Sequence, residues 1–189
     1  CDLAICFDGD ADRVLMVDLN GVLDGDDMLW ILRKHCPGPL VGTIMSNGGL
    51  EAVLSDRLIR AAVGDRHVSK AMKENKATMG AEPSGHVLFS DGLPTGDGLY
   101  TALRILDSVG FPPFNRSWTR WPCYQKNITF SSPRIPIAHF STPNKARSDG
   151  QRVIVRYSGT EPKLRILVEG LNAVTMEDVQ AAANKYVMV

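Results

Sequence analysis

The sequence predicts an α/β fold: a three-layer, mixed-sheet domain followed by a small α+β domain. Three observations carry that expectation. Up to residue 108, short apolar runs alternate with segments whose apolar residues recur at helical spacing, the pattern of helices covering a mostly parallel sheet. Residues 107–122 break the pattern with Gly110-Phe111-Pro112-Pro113-Phe114, Trp118 and Trp121-Pro122, a linker whose aromatic residues pack on a neighbour. Three more strand candidates and a closing helical segment follow it. A chain of 189 residues, 44% hydrophobic and 22% charged, suffices for one domain or two small ones with a sizeable core.

Leu3–Phe7 is five apolar residues in a row and predicts a strand buried on both faces. It runs into Asp8-Gly9-Asp10-Ala11-Asp12-Arg13. Val14–Asp18 predicts a second strand, Asn20-Gly21 a hairpin turn, and Val22-Leu23 a brief return. Asp26 or Asp27 is expected to cap a helix through Met28–Leu32, which stops near Pro37-Gly38. Val41–Met45 predicts a buried strand ending at Ser46-Asn47-Gly48-Gly49, and Leu50, Val53, Leu54 and Leu58 share one face of the helix after it. Ile59–Val63 predicts a strand with Gly64-Asp65-Arg66 as its exit loop, and residues 68–76 a helix. Ala81–His86 is a polar loop before the apolar run Val87–Phe89, and Thr95 is the expected N-cap of a helix through Leu106, with Asp97 in its first turn. Ile128–Phe130, Val153–Arg156 and Leu164–Val168 predict strands, and Met176–Tyr186 a closing helix; residues 131–150, with three prolines, predict no regular element.

Charge narrows the partners. Lys+Arg 21 balances Asp+Glu 21, so no net field recruits nucleic acid or an anionic membrane, and an anionic ligand must be held by local groups. The four cysteines form no paired metal-binding spacing, and Cys6 in an expected core strand suits a reduced, cytoplasmic protein. No apolar run reaches membrane-spanning length, and no signal peptide opens the chain. Cys1 stands almost inside the first strand, which leads us to expect a cut through a larger protein with part of the site upstream.

Asp8, Asp10 and Asp12 repel one another unless positive charge sits among them, and a hard divalent cation with oxygen ligands is the natural answer. An EF-hand loop fails, because its sixth and twelfth positions hold Arg13 and Leu19. An Asp-nucleophile phosphatase and a plain solvated turn remain as alternatives. Arg13 either neutralises the carboxylates or reaches a reacting phosphate. Glu82 and Ser84 suit either a hydroxylated ligand or a capped turn, and His86, beside Val87, either a satisfied buried histidine or a catalytic one. Arg66 and His67 follow a strand end, where ligands of such sheets gather. In Arg156-Tyr157-Ser158-Gly159-Thr160-Glu161-Pro162, a guanidinium, hydroxyls and turn amides make an oxyanion cradle to which Arg165 can add; an ordinary hairpin is the alternative.

Taken in order, FDGDADR, MSNGGLE, VGDR, EPSGH, TGDG and RYSGTEP with the later Arg165 resemble the α-D-phosphohexomutase family, over nearly the whole chain and least in residues 110–150. The resemblance implies a protein of four domains around a cleft, of which residues 1–24 are the end of domain two, 25–108 domain three, 109–120 a linker and 121–189 domain four. It implies Mg2+ on Asp8, Asp10 and Asp12, with Arg13 in the same catalytic loop. Glu82 and Ser84, with His86 and Arg66 nearby, fall to the sugar, and Arg156, Ser158, Gly159 and Thr160, with Arg165, to the phosphate that is not transferred. Ala81 and Tyr157 depart from the residues of the branch it most resembles, the one acting on glucosamine phosphates. The family's phosphoserine belongs to an upstream domain, and no motif here replaces it. The implied chemistry is a double phosphoryl transfer through a sugar 1,6-bisphosphate, linking glucosamine 6-phosphate and glucosamine 1-phosphate. The partners are then a phosphosugar and the missing N-terminal domains of the same protein. Mutases of mannose or glucose phosphates, and a non-catalytic phosphosugar-binding module, are the other readings.

Overall fold

Two-residue periodicity in the strands separates the two faces of the central sheet. In β4 (Leu40–Thr43), Leu40 joins the core that also holds Met28, Leu32 and Ile105, whereas Val41 joins Val68 and Met72 on the opposite side. In β7 (Val87–Phe89), Val87 and Phe89 face the first core and Leu88 the second. With β5 (Leu58–Ala61) and β6 (Met79–Ala81) these strands form one sheet in the order β5-β4-β6-β7. β4 is parallel to both β5 and β6, and β7 returns antiparallel. Helices α1 (Gly25–Leu32) and α4 (Gly98–Val109) cover one face, and α3 (Asp65–Asn75) the other. This is the mixed-sheet, three-layer plan that alternating elements predict.

The computed structural model describes residues 1–129, 151–158, 162–170 and 177, in two compact units, Cys1–Thr119 and Arg120–Val189. The first unit opens with a separate antiparallel meander of β1 (Leu3–Phe7), β2 (Val14–Asp18) and β3 (Gly21–Leu23). The register Phe7↔Val14 makes the Asp8–Arg13 segment a loop between paired strands, and Asp18↔Gly21 closes the expected hairpin. Phe114 and Trp118 are buried in the first unit's core, and Trp118 Nε1 donates to Asp27 Oδ1 at 3.1 Å. In the second unit β8 (Cys123–Thr129), β9 (Gln151–Tyr157) and β10 (Lys163–Gly170) form an antiparallel sheet in the order β8-β10-β9. Arg152 Nε donates to Glu169 Oε1 at 2.6 Å across this sheet, with both side chains buried. The expected helix over 176–186, the segment 131–150 and the end of the first strand at Phe130 lie outside the described residues, apart from Glu177.

Several local expectations are corrected. β1 is not buried on both faces: Ile5 and Phe7 are 36% and 43% exposed, and Cys6 is exposed too. The strand lies at the edge of its meander, and its apolar composition outruns the cover it has among the described residues. Asp24, not Asp26 or Asp27, caps α1: its side chain accepts from the Asp26 and Asp27 amides at 3.0 and 3.2 Å, and Asp27 returns a bond to its amide. Asp97 rather than Thr95 caps α4, accepting from Tyr100 N at 2.8 Å. α2 (Gly48–Leu54) starts directly after its cap Asn47 and gives way to a 3-10 turn at Ser55–Arg57. Asp65 and Arg66 are already in the first turn of α3 instead of a loop. Strand β6 was not anticipated. Gly80 lies under α3, where a Cβ would come within 2.5 Å of Val68, so its place in the sheet follows from packing and not from β propensity.

Candidate active site

Each carboxylate of the Asp8–Asp12 loop offers an oxygen, and these atoms all lie within 4.8 Å of one another. The turn is held by its own bonds: Ala11 N to Asp8 O at 3.3 Å and Arg13 N to Asp8 Oδ1 at 3.2 Å. Two other segments clamp it. Val14 N donates to Gly85 O at 3.0 Å, and Gly98 N donates to Ala11 O at 2.9 Å, which sets the start of α4 against the loop. Gly85 has φ +87, and a Cβ there would lie 2.2 Å from Val14 O, so only glycine allows this approach. Across the clamp, His86 Nδ1 lies 3.1 Å from Asp12 Oδ2.

The electrostatics of the loop call for positive charge. Burial, and then the hydrogen bond shared with Asp8, raise the Asp12 carboxyl above its ordinary range; Asp10 and Asp8 add to the effect and His86 opposes it. Arg13 Nε stands 3.7 Å from both Asp8 Oδ2 and Asp12 Oδ1, close enough to neutralise but beyond hydrogen-bond distance. An all-oxygen, carboxylate-rich donor set of this size fits a hard divalent cation such as Mg2+. Asp8 and Asp10 are exposed, so the site is open.

Because β4, β5 and β6 are parallel, their exits gather at one edge. Glu82, half-buried, accepts from Gly64 N at 3.1 Å and so ties the β6 exit to the start of α3, where Arg66 is exposed. Ser84 is exposed at the tip of the same loop that brings His86 to Asp12. Arg60 was not singled out in the sequence, since a lone arginine in a short strand carries no signal. Its buried guanidinium donates to Thr43 O at 2.8 Å, Ser46 O at 2.7 Å and Glu51 Oε2 at 3.1 Å, stapling the β4 exit loop. Asn47 is fixed from the other side, its amide donating to Asp26 Oδ2 at 2.8 Å. The Asp12–His86 contact was equally unforeseen, because the two residues come from different motifs.

In the second unit Arg156 on β9 stands directly opposite Arg165 on β10. Arg165 Nη2 lies 3.5 Å from Ser158 Oγ, and Ser158 N donates to Lys163 O at 2.8 Å, which holds the turn after β9. Gly159 and Thr160 lie outside the described residues.

With this geometry in view, the comparisons agree closely. Residues 24–110 match the phosphoglucomutase/phosphomannomutase alpha/beta/alpha domain III, and residues 142–185 the C-terminal domain of the same proteins. Phosphoglucosamine mutase of Acinetobacter baumannii (strain AYE) is 40% identical over 190 residues, spanning 90% of this chain and 42% of that protein. The enzyme of the same name from Hydrogenovibrio crunogenus is 38% identical, over 89% of this chain and 42% of the relative. The chain thus spans less than half the length of these curated relatives. Among solved structures, Aspergillus fumigatus N-acetylphosphoglucosamine mutase in complex with GlcNAc-6P and magnesium shares the fold, with a TM-score of 0.72 at 19% identity over 98% of this chain and 52% of that one. A phosphoglucomutase/phosphomannomutase family protein from Burkholderia thailandensis gives 0.71 at 19% identity, over 100% of this chain and 47% of that one. Both domain matches, and relatives that carry one enzyme name across nine-tenths of the chain, place this protein in the α-D-phosphohexomutase family.

Proposed function

We propose that these residues form the cation-, sugar- and distal-phosphate-binding parts of a phosphohexomutase that interconverts glucosamine 6-phosphate and glucosamine 1-phosphate through a sugar 1,6-bisphosphate. The observation that carries the reading is the acid loop: three carboxylates within 4.8 Å, clamped by the loop that presents Glu82 and Ser84. Asp8, Asp10 and Asp12 would hold Mg2+, which when bound neutralises charge on a phosphoryl group in transfer. Arg13 stands beside the same carboxylates and supplies positive charge to the reacting phosphate. Glu82 and Ser84, with His86 and Arg66 close by, meet the sugar hydroxyls or amine. Arg156, Ser158 and Arg165, together with Gly159 and Thr160, grip the phosphate that stays. A grip indifferent to which end of the sugar it holds lets the bisphosphate turn around between the two transfers.

The choice of amino sugar rests on the relatives named phosphoglucosamine mutase, and the choice of magnesium on the acid loop and on the A. fumigatus complex. The phosphoryl donor of the cycle is, in this reading, a phosphoserine outside these residues, in N-terminal domains of the same protein. Residues 1–24 then close domain two, 25–108 form domain three, 109–120 the linker and 121–189 domain four. We place its work in the cytoplasm, a reading to which four free cysteines lend support; among the described residues no helix is long and apolar enough to cross a membrane. The test is a coupled assay of the longer protein with Mg2+ and catalytic sugar bisphosphate, run on glucosamine, glucose and mannose 6-phosphates, with mass mapping of the phosphoenzyme. Preference for the amino sugar and phosphate on a serine are expected. Phosphate on Asp8 would replace this reading by a phosphatase, and binding without turnover by a phosphosugar-binding module.

A further inference from the structure

Between α3 and the loop over 90–97 lies a cavity of about 360 Å³, and none of its lining residues is one that the proposed function gives to cation, sugar or phosphate. Met72, Leu88 and Phe89, all buried, form its floor, and Leu93, 59% exposed, stands at its side. Ala77 leads into β6 and Ser90 follows β7, with Ser90 N donating to Thr78 O at 2.9 Å. The cavity therefore lies at the end of the sheet opposite the one where the parallel strands exit. Pockets that hold small molecules commonly measure about 300–1,000 Å³ and set a few polar groups against an apolar lining.

The polar groups here are cations. Lys73 and Lys76 both line the cavity, both are exposed, and neither has an ion pair among the described residues. Nearby carboxylates are engaged elsewhere: Glu74 lies 3.8 Å from Lys70, and Asp91 accepts from Arg104 at 2.8 and 2.9 Å. Lys76 is also the left-handed residue that ends α3, with φ +54 and ψ +35, a conformation that favours glycine. The helix dipole welcomes lysines at its C-terminal end, but it does not account for an apolar hollow beside them.

We propose that this cavity is a ligand site in its own right and takes a phosphate ester with an apolar body. The body fills the space over Met72, Leu88 and Phe89 and covers Leu93, and the phosphate meets the Lys73 and Lys76 ammoniums. Lysine serves phosphate as a point charge, without the fixed fork of an arginine, and two of them match a dianion. The thioether of Met72 adapts to the shape laid on it. The proposal uses no residue of the mutase reading and stands or falls apart from it.

The probe is α-naphthyl phosphate, with α-naphthol and inorganic phosphate as its two halves. The readout is carbon NMR of the methionine methyls in the 189-residue chain, with the Met72 signal assigned by M72L. That signal is expected to move saturably with the ester, and each half alone to bind at least about tenfold more weakly. K73A/K76A, which alters two exposed side chains, is expected to lose at least about tenfold in affinity for the ester. K76G is expected to bind the ester more weakly yet melt no lower than wild type, because glycine relieves the left-handed backbone. A Met72 signal that stays still, equal affinity for the ester and for naphthol, or wild-type affinity in K73A/K76A would each overturn the site. Wild-type binding by K76G would overturn the part given to Lys76 and leave that lysine to the helix end.

Discussion

Asp10 has no partner role in the clamp comparable to that of Asp8 or Asp12: Asp8 accepts from Arg13 N, and Asp12 meets His86, while Asp10 is exposed at the centre of the turn. Its replacement therefore tests cation binding with little disturbance of the loop. D10N should weaken Mg2+ binding by at least about tenfold in calorimetry, with the melting temperature of the metal-free chain nearly unchanged. Equal affinity in the two proteins would count against the site. Arg156 makes the matching test in the second unit. Removing one charge-assisted partner costs about 1.5–3 kcal/mol, so R156A should lower affinity for glucosamine 6-phosphate about 10–100-fold and leave affinity for free glucosamine almost untouched. An unchanged ratio of the two affinities would take Arg156 out of the phosphate site.

At the scale of elements, the strands and helices near the site are held by polar groups whose partners are buried. The Arg152–Glu169 pair joins β9 to β10, and Glu169 is 1% exposed. E169A would take the carboxylate partner from a buried guanidinium, and breaking such a pair costs about 3–5 kcal/mol. Hydrogen exchange in β8, β9 and β10 should quicken accordingly, while the strands of the first unit keep their protection. A loss well below 1 kcal/mol would mean that the pair is dispensable to this sheet. The helix cap is a smaller lever. Asp24 satisfies two amides of α1, and D24A should cost about 1 kcal/mol in chemical unfolding of the first unit.

For the whole molecule, the chain covers 42% of the length of the relative from A. baumannii. We expect the 189-residue chain alone to bind phosphosugar and cation but not to turn glucosamine 6-phosphate over. Ser46 is bound into the β4 exit, its Oγ accepting from Thr43 N at 3.0 Å, and Ser158 into the turn after β9, so neither is a free phosphoryl carrier. A coupled assay with Mg2+ and sugar bisphosphate decides the matter. Robust turnover by this chain, abolished by replacing one of its own serines, would overturn the expectation; activity confined to the longer protein would bear it out.

The sequence by itself determined the order of elements, the Asn20-Gly21 hairpin, the sheet-covering plan and the motifs on which the site is built, because periodicity and turn chemistry act over a few residues. Tertiary structure decided what each polar group in those motifs does. Asp24, Asp26 and Asp27 are alike in sequence, yet one caps α1, one receives the amide of Asn47, and one receives the indole of Trp118. Five apolar residues predict a buried β1, but burial is a property of what lies across the strand, and there Phe7 remains 43% exposed. Asp12 and His86 sit in separate motifs with no sequence signal linking them. They meet only because Gly85 and Gly98 let the β6–β7 loop and the start of α4 close on the acid loop, at distances that any side chain would forbid.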